Sequence, residues 1–160
     1  MPGNSISDYL PSTKNSDGPV FVCSGNHDLD EFAECDWLTS MKSKKVCVDG
    51  QIISFCGIKF GCVPYLGADL SYFSGCNVIL SHVPPIKTTT SQSIIAGILR
   101  DCGDEGLFNA LKERVISPQY ILCGHVKNPS ANRDCLFGVE IINPGAQHNS
   151  FAPKHKIILI

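Results

Sequence analysis

Residues 21–28 read Phe21-Val22-Cys23-Ser24-Gly25-Asn26-His27-Asp28, an apolar run that passes directly into a cluster of ligand-type side chains. The length and β-propensity of residues 19–23 suit a buried strand feeding a loop. The same arrangement recurs at Val78-Ile79-Leu80-Ser81-His82 and at Ile121-Leu122-Cys123-Gly124-His125. Strand ends on one edge of a layered sheet converge, so the three loops can meet although they are far apart in sequence. One histidine at a strand end is usually a hydrogen-bonded packing residue. Three polar strand ends of the same kind point to a shared site.

Around these segments the apolar pattern is mostly β. Short runs at 46–48, 51–56 and 58–63 read as strands divided by Asp49-Gly50 and Gly57, with Asp-Gly as a hairpin signal. Further strands are expected at 77–81, 120–123, 135–142 and 154–160. The Pro-, Thr- and Ser-rich stretch 84–93 reads as a loop, and the apolar run 94–99 as a helix or a buried turn. Asp104 is placed to cap a helix carrying Leu107, Phe108, Leu111 and Val115 on one face. Asp30 can cap another, with Phe32, Ala33, Trp37, Leu38 and Met41 at helical spacing and Trp37 as a core anchor. Residues 1–18 read as a loose arm and 19–160 as one domain. Strands outnumber helices, so the class is α/β.

Composition narrows the function. Of 160 residues, 43% are hydrophobic and 18% charged, which supports a packed core over disorder. A net charge of −2 and a pI near 6.2 give no basic face for a broad grip on nucleic acid and favour a small phosphorylated substrate. No apolar run is long enough to span a bilayer, and the N-terminus lacks a signal-like h-region, so a cytoplasmic protein without a membrane partner is expected. The nine cysteines are odd in number and form no Cys-x-x-Cys pair. Cys23, Cys47, Cys56, Cys62 and Cys123 fall in apolar, β-like runs and read as reduced core residues; a cysteine-rich zinc module is the remote alternative.

Gly25-Asn26-His27-Asp28 matches the Gly-Asn-His-Asp/Glu motif of the calcineurin-like metallophosphoesterases. Ser81-His82-Val83-Pro84-Pro85 resembles their later single-histidine motif. Gly124-His125-Val126-Lys127 falls where that family has Gly-His-x-His, and Ile142-Asn143-Pro144-Gly145 resembles the turn that follows it. The ordered set covers residues 19–145. The resemblance implies a layered β-sandwich flanked by helices, in the order α/β/β/α. It also implies hydrolysis of a phosphomonoester or phosphodiester by a metal-activated water, with two ions ~3.5–4 Å apart clamping the phosphate. By resemblance, Asn26, His82 and His125 would bind one divalent metal (Mn, Fe, Zn or Ni) together with a bridging aspartate. His27 would sit over the phosphate as an acid or donor, with Asp28 holding its tautomer.

Two motifs of the family pattern are absent. No Asp-x-His precedes residue 26, no Gly-Asp-x-x-Asp is present, and Lys127 stands at the second histidine of Gly-His-x-His. A protonated lysine is not a ligand and repels a neighbouring cation. One metal site at most is therefore expected, with activity impaired or lost; the alternative is a non-catalytic relative that binds a phosphorylated ligand or a protein. The opening βαβ unit of the family is also missing. A truncated start is the expected reason, and a partner chain or an upstream segment would then cover the strand at 19–23. Lys87 either approaches a phosphate or belongs to an ordinary surface loop, and His148 either nears the site or lies on the surface.

Overall fold

The computed structural model describes residues 18–26 and 46–146. His27, Asp28, His148, the helix expected after Asp30, the strand expected at 154–160 and nearly all of the expected arm lie outside these residues. The described residues are mixed α/β, dominated by sheet. In chain order the strands are β1 (Val20–Phe21), β2 (Val46–Cys47), β3 (Ile52–Phe55), β4 (Ile58–Cys62), β5 (Val78–Leu80), β6 (Gln92–Ile95), β7 (Ile98–Asp101), β8 (Tyr120–Leu122), β9 (Arg133–Leu136) and β10 (Val139–Ile142). A 3₁₀ turn, Leu70–Phe73, and one α-helix, α1 (Glu105–Lys112), accompany them. No helix among the described residues is long and apolar enough to cross a membrane.

Six strands form one sheet in the order β3-β4-β5-β8-β10-β9. Its centre, β4-β5-β8-β10, is parallel, and the edge strands β3 and β9 pair antiparallel as hairpin partners. The register aligns Gly61, Ile79, Ile121 and Ile141 in one row across the parallel strands. Ile79, Ile121 and Ile141 are fully buried and pack in one cluster with Phe73, Leu107 and Leu111 from the two helical elements. Each such isoleucine contributes roughly 1.5–3 kcal/mol by leaving water. Gly61 belongs in this row for a steric reason: a Cβ there would come within 2.7 Å of the Phe73 ring. On the opposite face of β4, Phe60 stacks on Phe21 at 4.6 Å and Cys62 Sγ lies 3.6 Å from Cys47 Sγ. The parallel pair β1-β2 therefore packs against that face.

Asp104 caps α1 as expected, its carboxylate accepting from Leu107 N at 2.5 Å. The helix stops earlier than the apolar spacing suggests. Arg114 takes φ +57°, and Val115 N donates to Ala110 O at 2.9 Å, closing a Schellman motif. Val115 is therefore 38% exposed and not part of the buried face.

Three other expectations are corrected. Asp49-Gly50 is a tight turn but joins no hairpin, because β2 pairs with β1; the hairpin turns at Cys56-Gly57, both with positive φ. The run 135–142 is two antiparallel strands that fold back at Phe137-Gly138, again with positive φ at both positions. The run 94–99 is neither a helix nor buried: it is the tip of the β6–β7 hairpin, turning at Ala96-Gly97. These are type I′ geometries, whose twist suits two-residue hairpins. Among the described residues no disulfide joins two cysteines. Cys47, Cys62 and Cys123 are buried as expected, and burial pushes the Cys62 and Cys123 thiols upward, which keeps them unreactive. Cys56 departs from that expectation, exposed in its turn.

Candidate metal centre

The parallel register explains how two distant histidines meet. β5 and β8 lie side by side, Leu80 opposite Leu122, so both chains leave the sheet at the same edge. The pairing continues past the strands through Ser81 N to Leu122 O at 3.0 Å and Gly124 N to His82 O at 3.0 Å. His82 and His125 follow within a few residues, their rings 5.0 Å apart. Asn26 arrives from the loop after β1.

Three side-chain atoms from these loops converge. Asn26 Oδ1 is 2.8 Å from His82 Nε2 and 3.3 Å from His125 Nδ1, and the two ring nitrogens are 3.2 Å apart. Donors held about 2.1 Å from one ion stand roughly 3.0–3.4 Å from each other, so this triangle has the size of a ligand set. The donor chemistry fits too: two imidazoles and an amide oxygen suit a borderline transition-metal ion. All three residues are half-buried, reachable from solvent yet held by packing. Among the described residues, no group of three or more His, Cys, Asp or Glu side chains gathers. The triangle depends on the amide of Asn26 as its third member.

Each corner is held differently. The Asn26 loop is pinned by Asp49, whose carboxylate accepts from Ser24 N at 2.8 Å and from Ser24 Oγ. Ser24 Oγ in turn accepts from Tyr65 N at 3.1 Å. Gly25 packs so closely on His82 that an added Cβ would lie 2.6–2.9 Å from three ring atoms. Tyr65 meets the same ring edge-on at 5.4 Å.

His125 needs more support, since its backbone is left-handed at φ +61°. For a residue other than glycine that costs about 1–2 kcal/mol. Asn143, fully buried at the end of β10, supplies the restraint. Its Nδ2 donates to Gly124 O at 2.9 Å, Val126 O at 3.0 Å and Thr90 O at 3.1 Å, bracketing His125 on both sides. Its Oδ1 accepts from Gly145 N at 2.9 Å across Pro144. Gly145 has φ +75°, and a Cβ there would meet Lys127 O at 2.6 Å, so the turn requires glycine.

Asp49 and the clamp made by Asn143 are not evident from the sequence alone. Asp49 resembles an ordinary turn residue, and the Asn-Pro-Gly string marks a turn without revealing what its amide holds. Lys127 is exposed and lines a cleft together with His125. Lys87 lies with its ammonium 4.6 Å from the Phe108 ring centre. Its loop is no ordinary surface loop, because Thr88, Thr90 and Ser91 are buried and Thr88 Oγ1 bonds Thr90 Oγ1 at 2.7 Å.

The chain matches no family model, no curated protein and no solved structure.

Proposed function

We propose that this chain is part of a calcineurin-like metallophosphoesterase domain that retains one metal site and binds a phosphorylated ligand there. The observation that carries the reading is the triangle of Asn26 Oδ1, His82 Nε2 and His125 Nδ1, with sides of 2.8, 3.2 and 3.3 Å. These are the residues the family resemblance nominates for a single ion. The packing of β1-β2 on one face of the main sheet, with α1 on the other, supports the finer reading of a layered α/β/β/α sandwich.

A divalent ion (Mn, Fe, Zn or Ni) held there would supply Lewis-acid stabilisation of phosphoryl charge and lower the pKa of a water. The chain's own residues do the rest. Asn26, His82 and His125 hold three donors in place, the Asp49–Ser24 link fixes the Asn26 loop, and Asn143 fixes the His125 peptide. His27 and Asp28 follow Asn26 directly and are proposed as the proton donor to the leaving group and the residue that sets its tautomer. No anionic ligand belongs to the triangle, so metal binding is weaker than in a four-ligand site and turnover is slow. The second reading is a non-catalytic phospho-ligand binder, favoured by Lys127 at the position of the family's second histidine.

The experiment is hydrolysis of bis-p-nitrophenyl phosphate with added Mn²⁺, compared between the wild type and His82→Ala. Slow, Mn²⁺-dependent turnover lost in His82→Ala is expected. Turnover that His82→Ala leaves unchanged removes the enzymatic reading, and Mn²⁺ binding without turnover selects the binding protein.

A further inference from the structure

We infer that the cleft beside His125 receives the apolar organic group of a soluble phosphoester, with the β6–β7 hairpin as its wall. This rests on the metal-centre reading and names the ligand class for that same site. The cleft has a volume of about 510 Å³ and is lined by Ser93, Ile94, Ile95, Ala96, His125 and Lys127 among others. That is the size range of small-molecule sites.

The wall is unusual for a surface hairpin. Ile94 is 71% exposed and Ile95 46%, and their cross-strand partners Leu99 and Ile98 are 57% and 58% exposed. The two cross-strand pairs, Ile94 with Leu99 and Ile95 with Ile98, fall on opposite faces of the hairpin, so each face carries large aliphatic side chains that lose free energy in water. The hairpin is anchored to the chain that follows His125: Ser93 Oγ donates to Asn128 O at 2.7 Å, and Ser130 N donates to Gln92 O at 2.7 Å.

The chemistry of the lining selects the occupant. The lining combines His125 and Lys127, which suit an anion, with Ile94 and Ile95, which suit hydrocarbon. The cavity on the His82 side is about 240 Å³ and includes Asp104 in its lining, which disfavours a phosphoester there.

The test is calorimetric binding of methylphosphonate and butylphosphonate, both soluble and non-hydrolysable, in the presence of Mn²⁺. The proteins are the wild type, the double variant Ile94→Ser/Ile95→Ser and His125→Gly, with phosphatidylcholine vesicles as a separate arm. Wild type should bind butylphosphonate about tenfold more tightly, well within the roughly fourfold per methylene that full burial allows. The double variant, altered only at exposed positions, should bring the two affinities together and leave methylphosphonate binding unchanged.

Equal affinities in the wild type, with methylphosphonate binding lost in His125→Gly, overturn the apolar subsite and leave the metal centre standing. A tenfold preference that survives the double variant overturns the hairpin as its wall. Methylphosphonate binding that His125→Gly leaves intact overturns the metal-centre reading, and no binding of either phosphonate overturns both. Vesicle binding that the double variant abolishes, with no preference among the phosphonates, replaces the proposal with a membrane-docking hairpin.

Discussion

His82 and His125 leave neighbouring parallel strands at the same level, yet they reach the same point by different means. His82 sits outside the left-handed region and is held by side packing, with Gly25 against one side of the ring and Tyr65 at its edge. His125 holds a left-handed backbone and is bracketed by the amide of Asn143 from the next strand. One corner of the triangle is placed by sterics and the other by hydrogen bonds that offset strain. The two corners should therefore fail differently.

The largest effect is expected at the clamp. Asn143→Ala removes the amide that serves three buried or half-buried carbonyls and the Gly145 N–H, leaving Thr90 O and Val126 O without that donor, which costs about 3–5 kcal/mol. Urea unfolding should show the loss, and Mn²⁺ affinity should fall at least tenfold in whatever fraction remains folded. Retention of both would mean that the His125 loop holds itself.

Next comes the steric corner. Gly25→Ala puts a Cβ within 2.6–2.9 Å of the His82 ring, so the ring or the Asn26 loop must shift, at about 1–3 kcal/mol. Mn²⁺ affinity should drop about 10–100-fold, as for other changes that misplace a ligand. Unchanged affinity, measured by calorimetry, would show that the loop yields without cost.

A smaller effect separates the two histidines by sign. His125→Gly relieves the left-handed strain and should raise the melting temperature of the metal-free protein, by up to about 1 kcal/mol of stability. His82→Gly should lower it, because a packed ring is lost. Both should lose Mn²⁺ binding. Equal destabilisation by the two substitutions would erase the distinction.

The smallest effect concerns the link between the 84–93 loop and β9. Burial raises the Asp134 pKa, but the N–H and hydroxyl of Thr89 and the N–H of Cys135 outweigh it, so the carboxyl lies below its ordinary value. With a depressed folded pKa, its contribution is complete above the unfolded value near pH 4 and lost as pH falls through the folded one. The melting temperature of the wild type should fall more steeply below about pH 4 than that of Asp134→Asn. Parallel curves would show that Asp134 does not tie the 84–93 loop to β9.

The same contrast explains what could be read from the sequence. His82 and Asn26 stand in the loops that follow apolar runs, and the β-propensity of 78–80 and 120–122 marks the strands that lead to His82 and His125; their parallel register is a property of the folded sheet. The α/β class and the Asp104 cap follow from equally local signals. What was not legible depends on backbone states that side-chain identity does not advertise. Phe137-Gly138 and Ala96-Gly97 turn hairpins without the usual Asn or Asp, so 135–142 resembled one strand and 94–99 resembled core. Arg114 ends α1 in a conformation normally left to glycine, which removes Val115 from the helix face. Asp49 and Asn143 act on residues that reach them only through tertiary packing.

The most direct measurement is pulsed EPR of the protein with one equivalent of Mn²⁺, read for nitrogen couplings from histidine. Couplings from two histidine nitrogens are predicted in the wild type, and none in His82→Ala or His125→Gly, which no longer hold the ion. Couplings that persist undiminished in both variants, or none in the wild type, would contradict a metal centre built on Asn26, His82 and His125.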